Sequence, residues 1–177
     1  MSYHETRRIC AIAWVLLLMS SNAHALDRTA VKKRVDGHLN AWDLSAAAEE
    51  ITALTSVEGN DLDVLWLQAR LAYMRGQYED AVDYLTRTVA IMPDDKGLNA
   101  MLGRYRRTRD LVGTFKRVTS SKGHFEIAFQ PGVDEVLVSY AGDALERAFE
   151  AYSTLFLFRP AEPVRVEIYP RVEHLAD

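Results

Sequence analysis

Residues 63–95 read DVLWLQARLAYMRGQYEDAVDYLTRTVAIMPDD, and the spacing of their small and apolar side chains decides the fold. Leu65, Ala69 and Ala72 recur at helical intervals ahead of Gly76, and Ala81 and Leu85 do so after Tyr78. Small side chains at Ala69 and Ala81 allow two antiparallel helices to approach closely. Pro93 closes the second helix because it has no amide donor. A shift of 34 residues lays the pattern on itself: Ala47 falls on Ala81, Ala69 on Gly103, Leu44 on Tyr78, Ile51 on Leu85 and Val57 on Ile91. The turn repeats as well, with Asn60-Asp61 falling on Asp94-Asp95.

Leu65, Ala69 and Ala72, Gly76 and Tyr78 at the turn, then Ala81, Leu85 and Pro93, form a unit that resembles the tetratricopeptide repeat, with Thr88 where that family usually has alanine. Residues 29–60 read as a more degenerate preceding repeat, with Trp42 at the glycine position and Ala46-Ala47-Ala48 at the close approach. Residues 97–110 read as a further first helix that caps the stack. The competing reading is a generic pair of helical hairpins with chance periodicity. The resemblance implies that the first helices line a concave face for a protein or peptide ligand, with Trp66, Arg70 and Tyr73 as candidate contacts. A single hairpin of this kind leans on its neighbours for stability.

Ahead of the repeats stands an address. Arg7 and Arg8 form a positive start, Ile9 to Met19 an apolar run, and Asn22-Ala23-His24-Ala25 a small-residue cleavage pattern, so residues 1–25 read as a signal peptide cleaved after Ala25. An apolar run this short does not cross a hydrocarbon core about 30 Å thick. The expected product is exported, periplasmic or extracellular, with no membrane span after cleavage. Cys10 is the only cysteine and leaves with the leader, so the remaining chain has neither disulfide nor cysteine metal site. The 177 residues are 49% apolar and 26% charged, an ordinary globular balance, and the net charge of −4 argues against a protein that coats nucleic acid.

Arg104, Arg106, Arg107, Arg109, Lys116, Arg117 and Lys122 make a basic stretch that reads as a solvated helix face followed by a linker over 111–123. After Gly123 the period changes. His124 to Phe129 alternate as a half-buried strand that ends at Pro131-Gly132. Residues 134–156 return to helical spacing through Leu137, Ala141, Ala144, Leu145, Ala148, Tyr152 and Leu155, and Pro160 and Pro163 follow as breakers. Val164, Val166 and Ile168 alternate as a second strand, and Pro170 opens a helical turn. Tyr152, Phe156 and Phe158 read as core of this module, with a peptide-binding patch as the alternative. The expected class is α+β: antiparallel helical hairpins over 26–110, a linker over 111–123, and an incomplete β-α-β module over 124–177.

The order strand, long helix, strand, with His124-Phe125-Glu126-Ile127, the helix through Tyr140 and Ala144, and Val166-Glu167-Ile168-Tyr169-Pro170, resembles the start of exported gluzincin-type (peptidase MA-like) zinc metallopeptidases. Tetratricopeptide repeats often accompany that domain, and the resemblance covers roughly 110–177. Such an enzyme needs His-Glu-x-x-His on a helix, two imidazoles for zinc and a glutamate to activate water. The chain has no such run, and the resemblance places it beyond Asp177, so the module reads as truncated. His38, His124 and His174 fall in three different elements without ligand spacing. No serine-nucleophile, phosphate-loop or dinucleotide motif is present. No catalytic or metal residue is therefore assigned, and zinc is expected only if a downstream catalytic half exists. The expected function is a non-catalytic, exported interaction scaffold. The alternative is the front portion of a zinc metallopeptidase.

Overall fold

The computed structural model describes residues 29–171 apart from 60, 133, 134 and 161. The leader, its cleavage site, His174 and the helical start after Pro170 fall outside the described residues or on their border. The described residues form six helices and one three-stranded sheet, an α+β arrangement. Contacts divide the chain into two compact units between Ile91 and Met92.

The first unit holds α1 (29–40), α2 (Leu44–Glu58), α3 (Leu62–Met74) and α4 (Tyr78–Ile91). Two turns with the same geometry join the helices pairwise. At the first, Trp42 N–H donates to the Leu39 carbonyl and Asp43 N–H to that of His38. At the second, Gly76 N–H donates to Tyr73 and Gln77 N–H to Ala72. Each pair of donors is 34 residues from its counterpart, and both turns pass through the left-handed region, at φ 59° for Trp42 and 67° for Gly76. Glycine takes that conformation without a Cβ clash, whereas tryptophan does so at a cost of about 1–2 kcal/mol.

Aspartate side chains cap the starts of both α2 and α3. The Asp61 carboxylate accepts from Val64 N–H at 2.9 Å to start α3, and Asp43 caps α2 in the same way at 3.2 Å. Ala47, Ala69 and Ala81 have no exposed surface, and α3 packs along α4. The core of α1 to α3 is built from Val35, Leu39, Ala47, Ile51, Leu67 and Leu71. Thr88 is fully buried in α4, and its hydroxyl donates to the Tyr84 carbonyl at 2.9 Å, so the polar group is satisfied within its own helix.

In the second unit, Asp95 caps α5 (Lys96–Val112), accepting from Leu98 N–H at 2.9 Å. Hydrogen-bonded turns through Gly113, Thr114 and Phe115 then lead straight into β1 (Lys116–Thr119). The linker expected over 111–123 is thus replaced by a helix end, a tight turn and a strand, and α5 groups with the sheet. β1 pairs antiparallel with β2 (Phe125–Phe129), with Val118 opposite Ile127. The chain then crosses through α6 (Glu135–Phe156) to β3 (Val164–Ile168), which pairs parallel with β2, Ile127 opposite Val166.

Phe125, Ile127 and Phe129 form the core with Val138 and Phe149 of α6, flanked by Val118, Leu145, Val166 and Ile168. The face of α6 turned inward carries Val138, Gly142, Glu146, Phe149 and Ser153. This corrects the expectation that Tyr152, Phe156 and Phe158 are core: all three are exposed. The inward stripe lies about 100° round the helix from the alanine-rich one, one residue step away. Gly142 lies against the sheet, where a Cβ would stand in ordinary van der Waals contact with Ile127 Cδ1 at 3.6 Å.

Candidate functional site

Two places in the described structure gather polar and aromatic side chains beyond what packing needs. The first lies where α1 and α3 run side by side. Lys32 Nζ donates to Asp63 at 2.7 Å, and Arg70 pairs with Asp36, the residue one repeat interval earlier. Both cations lie over the Trp66 ring, Arg70 Cζ 4.6 Å and Lys32 Nζ 5.5 Å from its centroid. Such contacts stabilise by about 0.5–1 kcal/mol each at exposed sites. Positive and negative charges balance, and all five side chains keep part of their surface exposed.

Of the three residues expected to contact a ligand, the structure brings Trp66 and Arg70 together. Tyr73 stands further along α3, edge-on to Tyr78 with centroids 5.2 Å apart. Each of the three is half-buried and already held by neighbours of its own chain. The arrangement offers a preorganised aromatic and ionic ridge. It offers no proton-transfer pair or nucleophile.

The second place is in the sheet unit. Glu146 is buried to 3% exposure beneath the β1–β2 turn. Its carboxylate accepts from the Ser120 hydroxyl, from His124 Nδ1 at 2.7 Å and from His124 N–H at 3.2 Å. Burial pushes the Glu146 carboxyl up, but the Ser120 and His124 hydrogen bonds and the nearby imidazole outweigh it and hold the group at about 2, against an ordinary 4.5. The His124 ring stacks on Phe149 with centroids 3.9 Å apart.

Serine, histidine and carboxylate here are in the wrong order for nucleophilic catalysis. The carboxylate sits between the other two, and the Ser120 oxygen also accepts from Phe125 N–H at 3.0 Å. A nucleophilic serine needs the imidazole against its own hydroxyl. What this cluster does is fasten the hairpin to α6. His124 is one of its anchors, through both its ring and its backbone N–H. No pattern in the sequence singles out Glu146.

Beside this cluster a cleft of about 460 Å³ opens between β1 and α6. Val118, Ile127, Phe129, Val138 and Gly142 make its apolar floor. Its rim includes Lys116, which donates to Glu135 at 2.9 Å. Lys116, Arg117 and Lys122 pair with Glu135, Glu126 and Glu150, and Arg109 with its neighbour Asp110.

His38 lies near Asp43 and Glu50, at 3.5 and 3.8 Å. Among the described residues no group of three or more His, Cys, Asp or Glu side chains is placed to hold a metal ion, and no helix is long and apolar enough to cross a membrane. Comparison with protein-family models, with curated proteins and with solved structures found no match.

Proposed function

We propose that the chain is an exported, non-catalytic interaction scaffold whose α1–α3 face binds an extended segment of another protein. The observation that carries this reading is the ridge of Lys32, Asp36, Asp63, Trp66 and Arg70, which holds charged and aromatic groups at half exposure on two adjacent helices. A peptide laid along α3 exchanges one side of each ion pair for its own backbone and side chains, and the Trp66 ring gives it an apolar platform. Aromatic and arginine side chains in such positions dominate the energetics of recognition.

Export rests on the leader pattern Arg7-Arg8, Ile9–Met19 and Ala23-His24-Ala25. N-terminal sequencing of the secreted product is expected to begin at Leu26. The binding test is capture of envelope proteins on the immobilised chain, repeated with Trp66→Ala, Arg70→Ala and Tyr73→Ala combined. The reading requires a partner that the triple variant loses while its thermal melting stays within a few degrees of the parent. A partner retained undiminished by the triple variant removes this face from consideration.

A second reading has one observation in its favour. The order strand, long helix, strand, here β2, α6 and β3, is the order on which the resemblance of roughly 110–177 to the start of a gluzincin-type domain rests. In that reading the chain is the front portion of a zinc metallopeptidase. The described residues do not fit zinc by themselves, because they bring no three donors together. Reading the DNA that follows the Asp177 codon tests it: a His-Glu-x-x-His run in frame supports it, and none over several hundred codons in any frame removes it.

A further inference from the structure

The outward face of α6 is apolar along its length and has no partner among the described residues. Leu137, Tyr140, Tyr152 and Leu155 are between 54% and 72% exposed. Between them lie Ala141, Ala144, Ala148 and Ala151, and the charged, serine and threonine side chains fall elsewhere on the helix. A soluble helix normally turns one apolar stripe inward and a polar face outward. α6 carries two stripes, and only one of them meets the sheet.

The sequence of the free stripe has a symmetry. Counted outward from Glu146 it reads Ala144 and Ala148, then Ala141 and Ala151, then Tyr140 and Tyr152, then Leu137 and Leu155. The same residue stands at the same distance on either side. An antiparallel copy related by a two-fold axis at the level of Glu146 therefore sets Leu137 level with Leu155 of the other chain, Tyr140 with Tyr152, and alanine with alanine. Small residues at the centre allow the helix backbones to approach, and larger ones at both ends close the interface.

The flank agrees. Asp143 and Arg147 border the stripe on one side, and neither has an ion-pair partner among the described residues. In the two-fold arrangement Arg147 of one copy comes beside Asp143 of the other, twice. The area is sufficient too. Four tyrosines, each exposing about two-thirds of a side chain of roughly 200 Å², supply on the order of 500 Å². Four leucines and eight alanines bring the total to roughly the 1,000 Å² that a specific interface requires.

We propose that the protein is a homodimer formed by antiparallel two-fold packing of α6 on α6 through this stripe. The interface is isologous, so it closes at two copies and leaves no free apolar end. It is independent of the ligand reading of α3.

Sedimentation of the purified protein over about 1–100 µM tests it directly, with a concentration-dependent dimer expected. Ala144→Arg with Ala148→Arg is expected to give a monomer of unchanged helical content. Asp143→Arg alone and Arg147→Asp alone are expected to weaken the dimer by roughly tenfold, and the two exchanged together to restore it. Because both positions are exposed, that rescue reads the interface even if the arginine pair at the alanines disturbs folding. A monomer throughout, a dimer indifferent to the alanine changes, a double exchange no better than either single one, or a different protein seated on the stripe would each overturn the proposal.

Discussion

Replacing Ala81 by leucine puts the packing of the α3–α4 hairpin to a quantitative test. Ala81 and Ala69 have no exposed surface, and they belong to two helices that pack along one another. Leucine adds three carbons where no space is open to solvent, so either the helices separate or side chains leave their rotamers. Overpacking of this kind costs about 1–3 kcal/mol. Against a total of about 5–15 kcal/mol for a typical domain, that is a substantial share. For a unit of this size it lowers Tm by roughly 4–8 °C per kcal/mol. Ala90→Leu in the same helix is the control: the position is exposed, so its expected effect is within about 0.5 kcal/mol. Urea unfolding followed by tryptophan fluorescence suits the measurement, since Trp42 and Trp66 both lie in this unit. If Ala81→Leu unfolds at the same urea concentration as Ala90→Leu, the helices do not meet at Ala81 and the close-approach argument fails.

Glu146 gives a pH prediction. Its carboxyl is held at about 2 in the folded protein against an ordinary 4.5, so the stabilisation it provides is fully present above pH 4.5 and is lost as the pH falls from there towards 2. Side-chain carbon shifts of Glu146 should titrate near 2, and Ser120→Ala should move the midpoint upward; an ordinary midpoint in the parent would contradict the network. Leu157 is 92% exposed and takes a left-handed φ of 52° just after α6, so it gains nothing from burial and bears the Cβ strain. Leu157→Gly should stabilise the sheet unit by about 0.5–1 kcal/mol in chemical denaturation, and a loss of stability would mean that the residue is held there by contacts. After desalting, the purified chain is expected to retain no stoichiometric zinc and to hydrolyse no peptide; one tightly held zinc lost on His124→Ala would show that donors had been overlooked.

What the sequence makes legible follows from how local each signal is. The cap carboxylates Asp61 and Asp95 and the left-handed turns at Trp42 and Gly76 depend on neighbours within one turn, so a 34-residue shift exposes them. β2 and β3 alternate strongly enough to be placed within a residue. β1 is hidden because its side chains are mostly exposed and only Val118 flanks the sheet core, which leaves Lys116–Thr119 without an apolar rhythm. The inward face of α6 escapes the sequence for a different reason. Its outward stripe is the more regular one, while the face on the sheet includes Gly142, Glu146 and Ser153, which no hydrophobic pattern selects. Glu146 becomes intelligible only beside His124, 22 residues earlier, and that pairing is made by tertiary structure.

Recognition of extended protein segments by the proposed face centred on Trp66 and Arg70 can be tested with peptides alone. Selection of a displayed random-peptide library on the immobilised chain, counter-selected against the Trp66→Ala, Arg70→Ala, Tyr73→Ala variant, tests it without requiring the natural partner. The expected result is enrichment of a peptide family that binds the parent and not the variant, and whose binding quenches or shifts Trp66 fluorescence. Peptides that bind both proteins equally, or no enrichment after repeated rounds, would contradict it.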